Sequence, residues 1–271
     1  MFVFVGGLFA ATVTVPACSN GNLRPGTAPA GSTSYCKNAL SILISAPGGV
    51  RSLDIFIYRD TLTRPLECHQ RLEGPVPGTI TLDSRPGDKL LVAIANSPAP
   101  FRLEALGRYD SAEQLEMYYR MEDPAFPLMS AVCSFSEGPV ELHLSPLLCR
   151  VNVFHIANFS GLALSESRLQ LKGVNSHVQL LRSDGFRTVE TEDNPAALSH
   201  PEMMLCRIPG EIGEELSTPG LTLFCYPFDG EGPNSTSLIF TATANGERHE
   251  WTFPVPPLKR GASTDLALTL R

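Results

Sequence analysis

Proline punctuates this chain from end to end. Its 23 prolines and 22 glycines, spread over 271 residues, leave little room for a long helix. Proline lacks a backbone donor and clashes with the preceding helical turn, so a chain so punctuated folds as short strands joined by turns. The apolar residues agree. At mid-chain Val140, Leu142 and Leu144 alternate with Glu141, His143 and Ser145, a period of two with one face buried. After a break at Ser145-Pro146, the run through Cys149, Val151, Val153, Phe154 and Ile156 is rich in β-branched and aromatic residues. Similar strand traffic on both sides of this pair predicts an all-β chain of two sandwich domains, 36–149 and 150–271, crossing at about Arg150.

In the first half, strands are predicted at Ala39–Ser45, Ser52–Tyr58, Glu67–Leu72, Thr79–Leu82, Lys89–Asn96 and Met129–Phe135. Pro47-Gly48-Gly49 ends the first, and Arg85-Pro86-Gly87-Asp88 turns between the fourth and fifth. One stretch departs from this pattern. Ser111 and Gln114 have capping-box spacing, and Leu115, Tyr118 and Tyr119 share a helical face, so a short helix is predicted from Ser111 to Tyr119. The second half repeats the strand style at Arg168–Val174, Val178–Arg182, Gly220–Tyr226, Ser237–Ala244, Arg248–Val255 and Asp265–Leu270. Asn245-Gly246, between two such runs, is the strongest hairpin signal in the chain. Glu190–Pro201 is polar and reads as loop.

A hydrophobic content of 43% against 18% charged residues supports a real core rather than disorder. The net charge of −7, without a basic cluster, argues against a nucleic-acid partner. Residues 1–17 carry no charge and are about as apolar as a secretory leader, though the usual basic start is missing. Val15-Pro16-Ala17-Cys18-Ser19 follows. It resembles a bacterial lipobox, with Pro16 as the unusual position, and it makes Cys18 the candidate lipidation site. Several acyl chains on one cysteine give an anchor that a single chain cannot. Residues 18–35 are small, polar and rich in Gly and Pro, which suits a tether. Without Cys18, six cysteines remain, an even number compatible with disulfides in an oxidising compartment and equally with buried thiols.

No catalytic constellation stands out. The six histidines are scattered, with no H-x-x-x-H, no G-x-S-x-G and no phosphate-binding glycine loop. No C-x-x-C or zinc-type spacing suggests a metal, and no cofactor is indicated. Trp251 and Phe253 point to one face of a strand. Core packing is one reading of them and a sugar-stacking platform the other.

The order of these elements is itself informative. A lipobox cysteine and tether precede a first strand, then SLDIFIYRD, GDKLLVAIANSP, a small helix, PLMSA and ELHLSPLLCRVNVFHI. LTLFCYPF, SLIFTATANGERHEWTFPV and PLKRGASTDLALTL close the chain. The succession resembles the fimbrial subunits of Bacteroidales bacteria, the fimbrillin superfamily of stalk, tip and anchor proteins of type V pili. The resemblance implies two transthyretin-like or immunoglobulin-like β-sandwich domains and no enzymatic activity. It implies lipid attachment to the outer membrane at the cell surface, and assembly with other fimbrial subunits by strand addition. In that family, stalk precursors lose their first strand by cleavage after a basic residue, and another subunit's strand fills the groove. Anchor members keep both the lipid and the first strand.

Arg51, after the first strand and its turn, is the candidate cleavage point. The alternative is a plain turn residue. Cys36 and Cys68 are a candidate disulfide that would tie the first strand to its own domain. Asp265–Leu270, so near the recorded end, leaves no tail to donate and is expected to pair within the second domain. These features favour an anchor or minor fimbrial subunit. The alternatives are a stalk subunit matured after Arg51 and a surface glycan-binding lipoprotein.

Overall fold

The computed structural model describes residues 13–14, 38–118, 122–174, 177–181, 205–213, 219–227 and 236–271. In chain order the elements begin with β1 (Val13–Thr14), β2 (Asn38–Ser45), β3 (Ser52–Arg59), β4 (Leu66–Glu73), β5 (Thr79–Ser84) and β6 (Lys89–Ala95). Helix α1 (Tyr109–Glu113) precedes β7 (Glu116–Tyr118), β8 (Met129–Phe135), β9 (Val140–His143) and β10 (Ser145–Pro146). Next come β11 (Cys149–Asn158), β12 (Ser165–Lys172), β13 (His177–Gln179), β14 (Leu205–Arg207) and β15 (Leu221–Cys225). The chain closes with β16 (Ser237–Ala244), β17 (Glu247–Pro254) and β18 (Ser263–Leu270). The fold is an all-β sandwich architecture with one short helix among the described residues. None of those residues forms a helix long and apolar enough to cross a membrane. The chain divides into two compact units, Met1–Glu113 with Met129–Ser145, and Gln114–Leu128 with Pro146–Arg271.

In the first unit one sheet runs β1-β5-β2-β9 and the other β8-β6-β3-β4. Alternation places Leu40 and Ile42 of β2, Leu53, Ile55 and Ile57 of β3, and Leu91 and Ala93 of β6 in a single apolar core. The other face of β3 is buried as well, which explains why SLDIFIYR does not alternate in polarity. Residues 97–113 cover it. Phe101 meets Phe56 edge-on at 5.7 Å, Tyr109 meets Tyr58 at 5.6 Å, and the Tyr58 hydroxyl donates to the Leu106 carbonyl at 3.2 Å. Asp54 is caught on that buried face. Its two oxygens are held by His69 Nε2 at 2.9 Å and by the Arg71 guanidinium, as a buried carboxylate requires.

In the second unit the sheets are β15-β11-β18 and β14-β12-β16-β17, with a small β13-β7 pair. Cys149, Val151 and Val153 of β11, Leu223 of β15, and Leu268 and Leu270 of β18 are buried; so are Leu169 and Leu171 of β12 and Phe240 of β16. Burying each such aliphatic side chain contributes about 1.5–3 kcal/mol. β16 and β17 form the expected hairpin. Asn245 and Gly246 both take positive φ, 51° and 81°, as a two-residue turn of the favoured hand demands. β18 runs parallel to β11 from Arg150↔Ser263 to Asn158↔Leu270, within the second unit.

The helix prediction is corrected in extent. α1 covers only Tyr109–Glu113, and Ser111, expected to cap it, lies inside it. Its first turn closes instead on the Arg108 carbonyl, which accepts from the Ser111 and Ala112 amides at 3.2 and 3.3 Å. Beyond it the chain extends as β7, paired with β13 from Glu116↔Gln179 to Tyr118↔His177. The Leu180 amide donates to the Leu115 carbonyl at 2.8 Å. Pairing with a distant segment outweighs a local helical pattern of few residues, and tyrosine suits a strand. Glu190–Pro201 lies outside the described residues.

Candidate functional site

The candidate cleavage point Arg51 lies just after β2 and its turn. β2 sits inside its sheet. It pairs antiparallel with β5 from Asn38↔Ser84 to Leu43↔Thr79 and parallel with β9 from Ile42↔Val140 to Ser45↔His143. Two further bonds extend the ladder, from the Ile44 amide to the Gly78 carbonyl at 2.9 Å and from the Leu144 amide to the Ser45 carbonyl at 2.8 Å. Leu40 and Ile42 point into the core, and Ile42 is fully buried.

Arg51 follows the Pro47-Gly48-Gly49 turn and is exposed, yet its backbone is occupied on both sides. Its amide donates to Asn96 Oδ1 at 2.8 Å, and its carbonyl accepts from the Gly74 amide at 2.8 Å. Asn96 Nδ2 donates in turn to the Gly49 carbonyl at 3.0 Å. The next residue, Ser52, is buried and paired with Glu73, and its carbonyl accepts from the Asn96 amide at 2.9 Å. A protease needs an extended, accessible segment on both sides of the bond it cuts. Here one side is a braced turn and the other a central strand.

Asn96 is the residue that sequence reasoning missed. It takes φ 62°, a left-handed conformation that asparagine tolerates better than most residues. The signal was present in IANSP, an asparagine between an apolar strand and Ser-Pro, but nothing local showed which turn it would brace.

Of the candidate cysteines, Cys68 is disulfide-bonded. Cys36 and Cys18 lie outside the described residues. Cys133, Cys149 and Cys225 are free thiols.

Two carboxylates show how differently the units treat charge. In the first unit Glu67 meets buried Lys89 at 2.6 Å and accepts from the Arg85 amide at 2.8 Å. Burial pushes its pKa up, but the Arg85 amide, Lys89 and Arg59 outweigh it, and the carboxyl falls below its usual range. In the second unit burial dominates and pushes Glu122 up to about 7. The Leu128 amide at 3.0 Å, the Tyr226 hydroxyl at 3.1 Å and nearby Arg260 compensate only in part, while Asp123 adds to the rise. Burial likewise pushes Arg260 down to about 10.

No nucleophile–base–acid constellation emerges among the described residues. None of their His, Cys, Asp and Glu side chains gather in threes that could hold a metal ion. The Asp54–His69 pair resembles two members of a catalytic triad, but the imidazole stacks on Phe56 at 4.5 Å and the carboxylate is shared with Arg71. Trp251 is half-buried. It packs on Phe240 across the hairpin at 5.6 Å, and its Nε1–H donates to the Arg271 carbonyl at 3.1 Å.

No family model matches the chain, and no curated protein matches it in sequence. Solved structures do match in shape. A candidate cell adhesion protein from Bacteroides eggerthii superposes with a TM-score of 0.61 at 12% identity, covering 86% of this chain and 86% of that one. A fimbrial assembly protein from Parabacteroides distasonis gives 0.53 at 10% identity, covering 85% and 90%. A fimbrilin from Porphyromonas gingivalis gives 0.52 at 9% identity, covering 76% and 71%. At such identities the likeness establishes architecture, and this chain has the fold of fimbrillin-like proteins of the Bacteroidales.

Proposed function

We propose that this chain is a non-enzymatic structural subunit of a cell-surface fimbria, an anchor or minor subunit that retains β2. The shared fold supports the fimbrial reading. The observation that carries the finer role is the double pairing of β2 together with the occupied backbone of Arg51. A strand held on both sides is costly to release, and a cut after Arg51 must first break the turn that Asn96 braces. A Cys36–Cys68 disulfide would fasten the same region covalently.

On this reading residues 1–17 leave as a signal peptide, Cys18 becomes the lipidated terminus, and 18–35 hold the fold away from the outer membrane. β1 pairs in parallel with the outer edge of β5, Val13↔Ile80 and Thr14↔Thr81, and it departs with the leader. That edge is then open to a partner subunit's strand, because unpaired backbone groups accept any suitable extended segment.

The test is fractionation of cells expressing the full chain and a Cys18→Ala variant, with labelled palmitate. Wild-type chain should carry label and sediment with outer membrane and sheared fibres. The variant should lose label and leave the membrane. Label persisting in the variant would overturn the lipid assignment, and wild-type chain absent from surface fibres would overturn the fimbrial one.

A further inference from the structure

β11 begins at Cys149 and β15 ends at Cys225, and these two residues are direct cross-strand partners in the antiparallel pair. Both side chains are fully buried. We propose that Cys149 and Cys225 are a redox-active thiol pair that closes to a cross-strand disulfide by exchange with a protein or small-molecule disulfide.

The geometry is suited to the bond. Directly opposite residues of an antiparallel pair have Cβ atoms about 4.5–5.5 Å apart, a short approach from the ~3.5–4.5 Å of a disulfide. Each thiol perturbs the other, Cys225 lowering the pKa of Cys149 and Cys149 raising that of Cys225. They are also chemically unequal. Cys225, the Gly261 and Ala262 amides and the Arg260 charge all favour the Cys149 thiolate. Its own proton points at the Lys259 carbonyl, 3.0 Å away. The 259–262 loop that supplies these groups is fixed by the Ala262 amide on the Lys259 carbonyl at 2.9 Å and the Arg150 amide on the Ala262 carbonyl at 2.8 Å. Donors aimed at one sulfur favour its thiolate, and Cys225 contributes most to holding Cys149 below the usual thiol range. Cys225, beside Cys149 and deeply buried, is pushed up.

This asymmetry sets the order of events. The Cys149 thiolate attacks one sulfur of the incoming disulfide, forming a mixed disulfide and releasing one thiolate. Cys225 then loses its proton and attacks the Cys149 sulfur, releasing the second. Two cysteine thiols are oxidised and one external disulfide is reduced to two thiols. Access comes from the position of β15, a five-residue strand at the edge of its sheet, where local opening is least costly.

The physiological oxidant rests on the export proposed above, but the pairing does not. The test therefore uses purified full chain, reduced, then exposed natively to oxidised glutathione, denatured, alkylated and mapped without reduction. The expected product links the Cys149 peptide to the Cys225 peptide, with Cys133 still alkylated. Cys225→Ser should trap glutathione on Cys149, whereas Cys149→Ser should leave Cys225 unmodified. On the wild-type chain, closing the bond should raise the thermal midpoint by roughly 5–10 °C, reversibly with dithiothreitol. Recovery of Cys149 and Cys225 both alkylated, or glutathione on Cys225 in preference to Cys149, would overturn the proposal. Neither result depends on where the protein resides.

Discussion

β2 and β18 are both eight-residue strands, and each has a parallel partner, β9 for the first and β11 for the second. Their other sides differ. β2 has a second, antiparallel partner in β5, whereas β18, among the described residues, has only β11. Removing β2 would break two ladders and open a core lined by Leu40 and Ile42. Removing β18 would break one ladder and uncover Leu268 and Leu270, while Leu266 is already half-exposed. The lesson is that the strand nearer the start of the chain is the more firmly held of the two. A chain built this way is better suited to keeping β2 than to surrendering it. The carboxylates follow the same division: partners lower the pKa of Glu67, whereas burial raises that of Glu122 to about 7.

The largest expected effect is on β2 itself. Ile42→Ala should cost about 4 kcal/mol in chemical denaturation, from lost burial plus the cavity left behind. A cost near 1 kcal/mol would mean that β2 is not anchored through the core.

The next effect concerns pH. Glu122 has an ordinary value of 4.5 and stands at about 7 in the folded chain. Above 4.5 the unfolded chain loses this proton while the folded chain keeps it, so stability is present below about 4.5 and declines as pH rises towards 7. Glu122→Gln should remove that slope and stabilise the chain by on the order of 3 kcal/mol at pH 8. Glu67 has the opposite sign. Its lowered pKa contributes stability above the unfolded value, and that stability is lost as pH falls through the folded one. Hydrogen exchange across a pH series should therefore show the first unit loosening in acid and the second on the neutral side. A Glu122→Gln variant with an unchanged slope would break this part of the comparison.

A smaller effect is expected at the brace. Asn96→Ala frees the Arg51 amide and the Gly49 carbonyl, and puts alanine at positive φ, for about 1–2 kcal/mol in total. Limited trypsin digestion should then nick after Arg51 roughly tenfold faster, if local opening controls the cut. An unchanged rate would show that Asn96 does not guard this bond. The smallest is Leu266→Ala on β18, at about 1 kcal/mol for a half-exposed side chain. If it matched Ile42→Ala, the contrast between the two strands would disappear.

Much of this architecture was legible in the sequence because strand periodicity and turn chemistry are local. The Val140–His143 alternation, the Arg85-Pro86-Gly87-Asp88 turn and the Asn245-Gly246 hairpin each signal themselves within a few residues. What was not legible depends on partners far away in sequence. The Leu115–Tyr118 segment has a helical face in isolation and becomes extended because β13 pairs with it. β14, a three-residue strand, has too few residues to show a period. The candidate site shows the same limit. Arg51 could be picked out as a basic residue after a turn. That its amide and carbonyl are taken by Asn96 and Gly74 follows only from the strand pairing that brings those residues to it.

Retention of β2 in the mature protein is tested directly by mass spectrometry of the chain's N-terminus in surface fibres, sheared from cells and purified without added protease. The expected mature chain begins at lipidated Cys18 and still contains Asn38–Ser45. A terminus at Ser52, produced by cleavage after Arg51, would contradict it.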